Sequence, residues 1–162
     1  MRWTVLDSPI GELSVVADER GICGVRFGRV EGVELIAAET ADERLRTVLA
    51  ELRAYFAGEL TEFTVPLSVR QGSEFERAVW REMSRIPYGE MRTYGEVATI
   101  LGDPGAARAV GVACNRNPIP VIVPCHRIVG AGGKLVGFGG GLPRKRQLLE
   151  LEARVSFASA WS

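Results

Sequence analysis

Long apolar runs are missing from this chain, and so are most of the patterns that point to a bound ligand. No stretch of its 162 residues approaches the roughly 20 apolar positions needed to span a bilayer. Histidine is almost absent, with His126 the only one, and the three cysteines (Cys23, Cys114, Cys125) show neither C-x-x-C nor H-x-x-x-H spacing. Structural zinc needs four ligands at such intervals, so no metal is expected. An odd set of cysteines without framework spacing suits free thiols in a reducing compartment. Neither a G-x-x-x-x-G-K-[ST] phosphate loop nor a dinucleotide fingerprint appears. Acidic Asp7 and Glu12 stand where a secretory leader would be apolar, so no export and a cytoplasmic setting are expected.

Net charge is lacking too, with 20 Lys/Arg against 20 Asp/Glu. The balance argues against a polyanionic partner, but the distribution does not. Residues 1–70 hold 8 bases against 12 acids, whereas residues 105–149 hold seven bases and no acid. Those seven are Arg108, Arg116, Arg127, Lys134, Arg144, Lys145 and Arg146. Basic segments attract phosphate, although a solvated face would look the same.

The first third of the chain reads as antiparallel β-structure. Strand-like runs at 3–6, 12–17 and 22–27 are separated by the turn signals "SPIG" and "DERG". A helical period follows over 41–56, with Leu45, Val48, Leu49, Leu52 and Phe56 on one face and Gly58 as a stop. "EFTVPL" at 62–67 suggests a further edge strand. A boundary falls near residue 70, giving domains at 1–70 and 71–162.

Two capping boxes open helices in the second domain: Ser73 with Glu76, and Thr93 with Glu96. The first helix would bury Phe75, Val79, Trp80 and Met83. Asp103 and Pro104 supply an N-cap and first-turn proline for "GAARAVGVACN". Two short helices joined by "GDPG" fit a helix-turn-helix. "GAGGKLVGFGGG" at 130–141 holds seven glycines in twelve residues, which suits a binding loop. "LPRKRQLLELEARV" closes the domain as a helix. The fold class is therefore α+β: a small N-terminal antiparallel sheet with a helix, then a mainly helical domain carrying the helix-turn-helix and an active-site loop.

"NPIPVIVPCHRIV" (117–129) combines core aliphatics with three prolines, a cysteine and the only histidine. Buried cysteines are usually small hydrophobes, and Cys23 and Cys114 read that way. Cys125 differs: prolines keep its segment from being a central strand, and His126 and Arg127 can favour a thiolate. Adjacent residues on an extended chain point apart, so either the chain turns between Cys125 and His126 or a water carries the proton. The imidazole then needs a carboxylate to orient it, with Glu96, Glu150 and Glu152 the candidates. A papain-like hydrolase fits poorly, having its histidine far downstream of its cysteine.

"PCHRIVG" at 124–130, with "NP" upstream, closely resembles the active-site motif of the O6-alkylguanine-DNA alkyltransferases. "IPYGEMRTYGEVA", "GAARAVG" and "LLELE" match in order, covering residues 73–152, and "DSPIG" resembles the start of the family's more variable N-terminal domain. The resemblance implies a monomer, active without a cofactor on double-stranded DNA containing O6-alkylguanine. O4-alkylthymine is a second candidate lesion, and assembly along DNA is left open. Cys125 would accept the alkyl group irreversibly, once per chain. His126 would take its proton through a water, Glu152 would orient His126, and Asn117 would brace the turn. Tyr94 would donate a proton to the leaving guanine, and Arg108 would fill the gap left by the flipped nucleotide. Cys125, Ile128 and Gly139 would read the base through backbone groups, with Arg116, Arg127 and the 144–146 cluster on phosphate. Phe138 stands where many relatives have tyrosine, which bears on substrate preference. Two rivals are a non-enzymatic binder of damaged DNA, which would lack the cysteine, and a cysteine hydrolase indifferent to DNA.

Overall fold

A computed structural model describes residues 1–36 and 42–161. The chain forms two compact units, Met1–Arg70 and Gln71–Ser162. In the first, β1 (Arg2–Ser8), β2 (Gly11–Ala17) and β3 (Ile22–Phe27) make an antiparallel meander in sequence order. Their alternating aliphatics supply Leu6, Leu13, Val15, Ile22 and Val25 to the core. Helix α1 (Glu43–Phe56) lays Leu45, Val48, Leu49 and Leu52 against the sheet. Asp42 caps it by accepting from the Leu45 amide, and Ala41, where the helical pattern begins in sequence, lies outside the described residues.

The 18–21 turn is held by the buried Asp18, whose carboxylate accepts from the amides of Arg20 and Gly21 and from the Ser68 hydroxyl at 2.6 Å. The strand expected at 62–67 is corrected to a single bridge. Ile22 donates to the Pro66 carbonyl and accepts from Ser68, and regular pairing goes no further. Pro66 and the departing chain leave nothing more to pair.

The second unit is mainly helical: α2 (Glu74–Ser84), β4 (Arg92–Thr93), α3 (Tyr94–Ile100), α4 (Ala107–Asn115), β5 (Ile128–Val129) and α5 (Leu142–Ala160). Both capping boxes form, Ser73 with Glu76 on α2 and Thr93 with Glu96 on α3. Val79, Trp80 and Met83 are buried, and the Trp80 indole donates to the Ala113 carbonyl at 2.8 Å, locking α2 to α4. Phe75 is exposed rather than core, because it lies in the first turn of α2, beyond the packed face. Asp103 does not cap α4. Pro104–Ala106 form a 3-10 turn first, and α4 starts from Ala106 with no side-chain cap.

The segment 117–129 is neither a strand nor a plain loop. The Val123 amide donates to Ile119, and Cys125–Arg127 form one 3-10 turn. β5 then pairs in parallel with β4, register Arg92↔Ile128 and Thr93↔Val129. Val121 sits at φ 74, costly for a β-branched residue, and its buried side chain holds it there.

Candidate active site

The chain turns between Cys125 and His126, in the 3-10 turn Cys125–Arg127. It places Cys125 and His126 in the interior, the thiol 6% exposed and the imidazole 0%. α5 brings Glu152 to the ring: His126 Nε2 lies 2.7 Å from Glu152 Oε2. Among the three candidate carboxylates the geometry selects Glu152, since Glu96 is held in its capping box and Glu150 is exposed.

Glu152 is fully coordinated. Arg127 grips both oxygens, Nε to Oε1 at 2.8 Å and Nη2 to Oε2 at 3.0 Å, and the Gly89 amide adds a bond to Oε1 at 3.1 Å. Burial alone would raise the carboxyl, but the hydrogen bonds and charges of His126 and Arg127 outweigh it and hold it down at about 2. An ionised Glu152 accepts from Nε2–H, which leaves the other ring nitrogen, Nδ1, as the acceptor. Nδ1 is buried and has no hydrogen-bond partner among the described residues. Desolvation and the nearby cations push the imidazole below its usual range, despite Glu152.

Burial pushes the Cys125 thiol up. Opposing it are a hydrogen bond from Asn117, the charge of Lys145, and backbone hydrogen bonds of Cys125 and His126. The help expected from Arg127 does not reach the sulfur, because that guanidinium faces Glu152. Asn117 ties the preceding loop together, donating to the Val123 carbonyl at 2.8 Å and accepting from the Ile119 amide at 3.0 Å. Tyr94, at the start of α3, donates its hydroxyl to the Val136 carbonyl at 2.9 Å. Its phenol is pushed up to about 12, chiefly by burial, so it stays protonated.

Cys125, His126, Glu152, Asn117 and Tyr94 thus belong to one neighbourhood. Arg108 and Gly139 lie exposed outside it, Arg108 on α4 and Gly139 in the glycine-rich loop. Arg116 is exposed and sits 3.4 Å from Glu76. One expected DNA contact is corrected. Arg127 is buried, with Nη1 also donating to the Ile86 carbonyl at 2.7 Å, so no phosphate can reach its guanidinium. Ile128 is fully buried and its amide donates to the Cys125 carbonyl.

In sequence, Lys145 reads as part of a surface cluster with Arg144 and Arg146. It is instead 0% exposed, and Nζ donates to the carbonyls of Val136 (3.0 Å) and Gly137 (3.2 Å). Helical spacing held the clue: 145, 148 and 152 fall on one face, and Leu148 and Glu152 are both buried. Gly89 carries no sequence signal that ties it to Glu152. Its φ of 79 and the crowding of Ser156 against any Cβ require glycine where its amide meets Glu152.

Among the described residues no helix is long and apolar enough to cross a membrane, and no cluster of three His, Cys, Asp or Glu could hold a metal. The second unit thus gathers a buried thiol and, next to it in one 3-10 turn, an imidazole bound to a carboxylate. Two family profiles match nearly the whole chain. Residues 74–154 match "6-O-methylguanine DNA methyltransferase, DNA binding domain", and residues 1–69 match the "ribonuclease-like domain" of the same family. The chain belongs to this family.

A methylated-DNA–protein-cysteine methyltransferase of Mycolicibacterium paratuberculosis is 49% identical over 98% of this chain and 96% of its own. The protein of that name from Methanosarcina acetivorans is 47% identical over 94% and 98%. Among solved structures, Mycobacterium tuberculosis OGT in complex with DNA superimposes with a TM-score of 0.84 at 45% identity, covering 96% of this chain and 94% of that one.

Proposed function

We propose that the protein reverses DNA alkylation damage directly, moving the alkyl group from O6 of guanine onto Cys125, once per molecule and without a cofactor. The observation that carries this reading is the buried thiol beside an imidazole whose Nε2 is held by an ionised Glu152 and whose Nδ1 is left without a partner. The reaction begins with the Cys125 proton passing, through one water, to His126 Nδ1. Sulfur then bonds to the alkyl carbon as the carbon–O6 bond breaks, and the electron pair goes to the purine. Tyr94 gives the departing guanine a proton; its phenol, protonated at neutral pH, suits a donor. The thioether has no leaving group that water can use, so the chain is consumed.

Residues 71–162 carry DNA binding and transfer in this reading, and residues 1–70 support them. O6 is stacked within the duplex, so the nucleotide must leave it, at a cost of a few kcal/mol that a weakened base pair lowers. α3 and α4 act as a helix-turn-helix, and exposed Arg108 enters the stack behind the extruded nucleotide. The names of the M. paratuberculosis and Methanosarcina proteins, and the DNA complex of the M. tuberculosis one, support the same chemistry for this chain.

The test is intact-protein mass after mixing with duplex DNA containing one O6-methylguanine, followed by peptide mapping. One methyl per chain on Cys125, absent in Cys125→Ser, is expected. DNA binding without mass gain would leave only a damage-binding protein. A parallel duplex carrying O4-methylthymine decides the second lesion.

A further inference from the structure

One buried charge lies off the proton path from Cys125 to His126. Lys145 is fully enclosed, and no carboxylate lies within salt-bridge distance of it among the described residues. An ammonium in that position is expensive unless its hydrogen bonds do something. Two of its three protons go to Val136 and Gly137, in the loop facing Tyr94, and Nζ lies 5.8 Å from the Tyr94 ring centroid.

The Val136 carbonyl is therefore shared. It accepts from the Tyr94 hydroxyl at 2.9 Å and from Lys145 at 3.0 Å. That sharing matters because Tyr94 has two tasks in the proposed reaction. In the free protein its hydroxyl is tied to Val136; during transfer the same hydroxyl must face the purine. Val136 is exposed in the free protein, so the cost arises once the duplex covers the loop: were Tyr94 then the sole donor to that carbonyl, turning to the base would strand a polar group, a cost on the scale of one lost hydrogen bond.

We propose that Lys145 is a positioning residue for alkyl transfer: it keeps the Val136 carbonyl satisfied, so that the Tyr94 hydroxyl can pass to the base while the 136–137 loop stays in place. This rests on Tyr94 being the proton donor. No bond to Lys145 forms or breaks, and its charge is unchanged throughout. Burial lowers the ammonium's proton affinity, and the neighbouring thiols oppose that shift.

The test is a double-mutant cycle on the first-order transfer rate at saturating O6-methylguanine duplex. Lys145→Met should slow transfer about tenfold, the value of one donor, with the half-saturating DNA concentration unchanged. Lys145→Gln, a neutral donor, should recover most of the rate. In a Tyr94→Phe background, Lys145→Met should cost less than about twofold, because no hydroxyl remains to be released. A full tenfold loss in that background, or a glutamine variant as slow as methionine, would overturn the proposal in favour of a direct effect of charge on Cys125. A Tyr94→Phe protein as fast as wild type would remove the role of Tyr94 itself, and absence of transfer in wild type would remove the reaction; each is a separate result.

A second measurement does not need the lysine variants to fold. In Cys125→Ser protein carrying ¹³C-tyrosine and ¹⁵N-lysine, binding the lesion duplex should shift the Tyr94 Cζ resonance and leave Lys145 Nζ in place. A moving Lys145 with a static Tyr94 overturns the proposal.

Discussion

Replacing Arg127 with methionine separates a buried structural charge from a DNA contact. The guanidinium makes three hydrogen bonds, two to Glu152 and one to the Ile86 carbonyl, and is 7% exposed. Methionine refills most of the volume, so packing loss is small. The carboxylate is left with His126 and the Gly89 amide in a site that is 1% exposed. Removing one partner of a buried ion pair costs about 3–5 kcal/mol. The two surviving donors place this case near 3 kcal/mol, or roughly a hundredfold in an opening equilibrium.

Hydrogen exchange of the α5 and 125–129 amides is the suitable assay, because it reports this unit locally. The chemistry should move as well. Arg127 lowers the proton affinity of His126, so its removal raises it, and the low-pH limb of the transfer rate shifts to higher pH. Arg127→Met/Glu152→Gln should regain part of the stability, since the stranded charge is gone. A loss below about 1 kcal/mol together with an unmoved pH profile would refute the account, for it would mean that Glu152 is solvated.

In the wild type, His126 is held below its ordinary range, so the low-pH inflection of the transfer rate should lie below 6.5; an inflection at or above 6.5 contradicts that environment. Glu152 has a depressed folded-state value, so its contribution to stability is complete above the unfolded value of 4.5 and is lost as pH falls towards about 2. Acid unfolding of Glu152→Gln, followed by circular dichroism, should lack that sensitivity. Gly89→Ala should weaken the second unit strongly, through its φ of 79 and the collision with Ser156, and Ser156→Gly should relieve only the collision. Arg108→Ala should slow repair in duplex DNA more than alkyl transfer from the free modified base, and equal losses would count against a place in the stack.

What could be read in the sequence was mostly local. Capping boxes need only a side chain and an amide three residues apart, and Ser73/Glu76 and Thr93/Glu96 both formed. The meander followed from short turns and alternating aliphatics. Asp103 failed as a cap because Pro104 starts a 3-10 turn ahead of α4, a backbone choice that the motif does not distinguish. Residues 62–67 failed as a strand because a bridge of two hydrogen bonds leaves no period to detect.

The charged residues show why the site was only partly visible. In sequence, Arg127 and Lys145 read as surface residues because they fall in a basic stretch. Their partners are distant: Glu152 is 25 residues from Arg127, and Lys145 binds carbonyls, which carry no side-chain signature. Composition treats an ionised group as a solvated one unless a partner is known, and here the partner comes from folding. The same carboxylate completes both arguments. Glu152 is ionised because Arg127 grips it, and an ionised Glu152 fixes Nε2–H and frees Nδ1 of His126. The basic stretch at 105–149 therefore divides by depth. Arg108 and Arg116 are exposed, whereas Arg127 and Lys145 are buried and bonded to groups of their own unit. A salt titration measures the division directly. Each phosphate neutralised adds about 0.9 to the slope of log K against log salt, so Arg127→Met should leave that slope unchanged while Arg116→Ala makes it shallower.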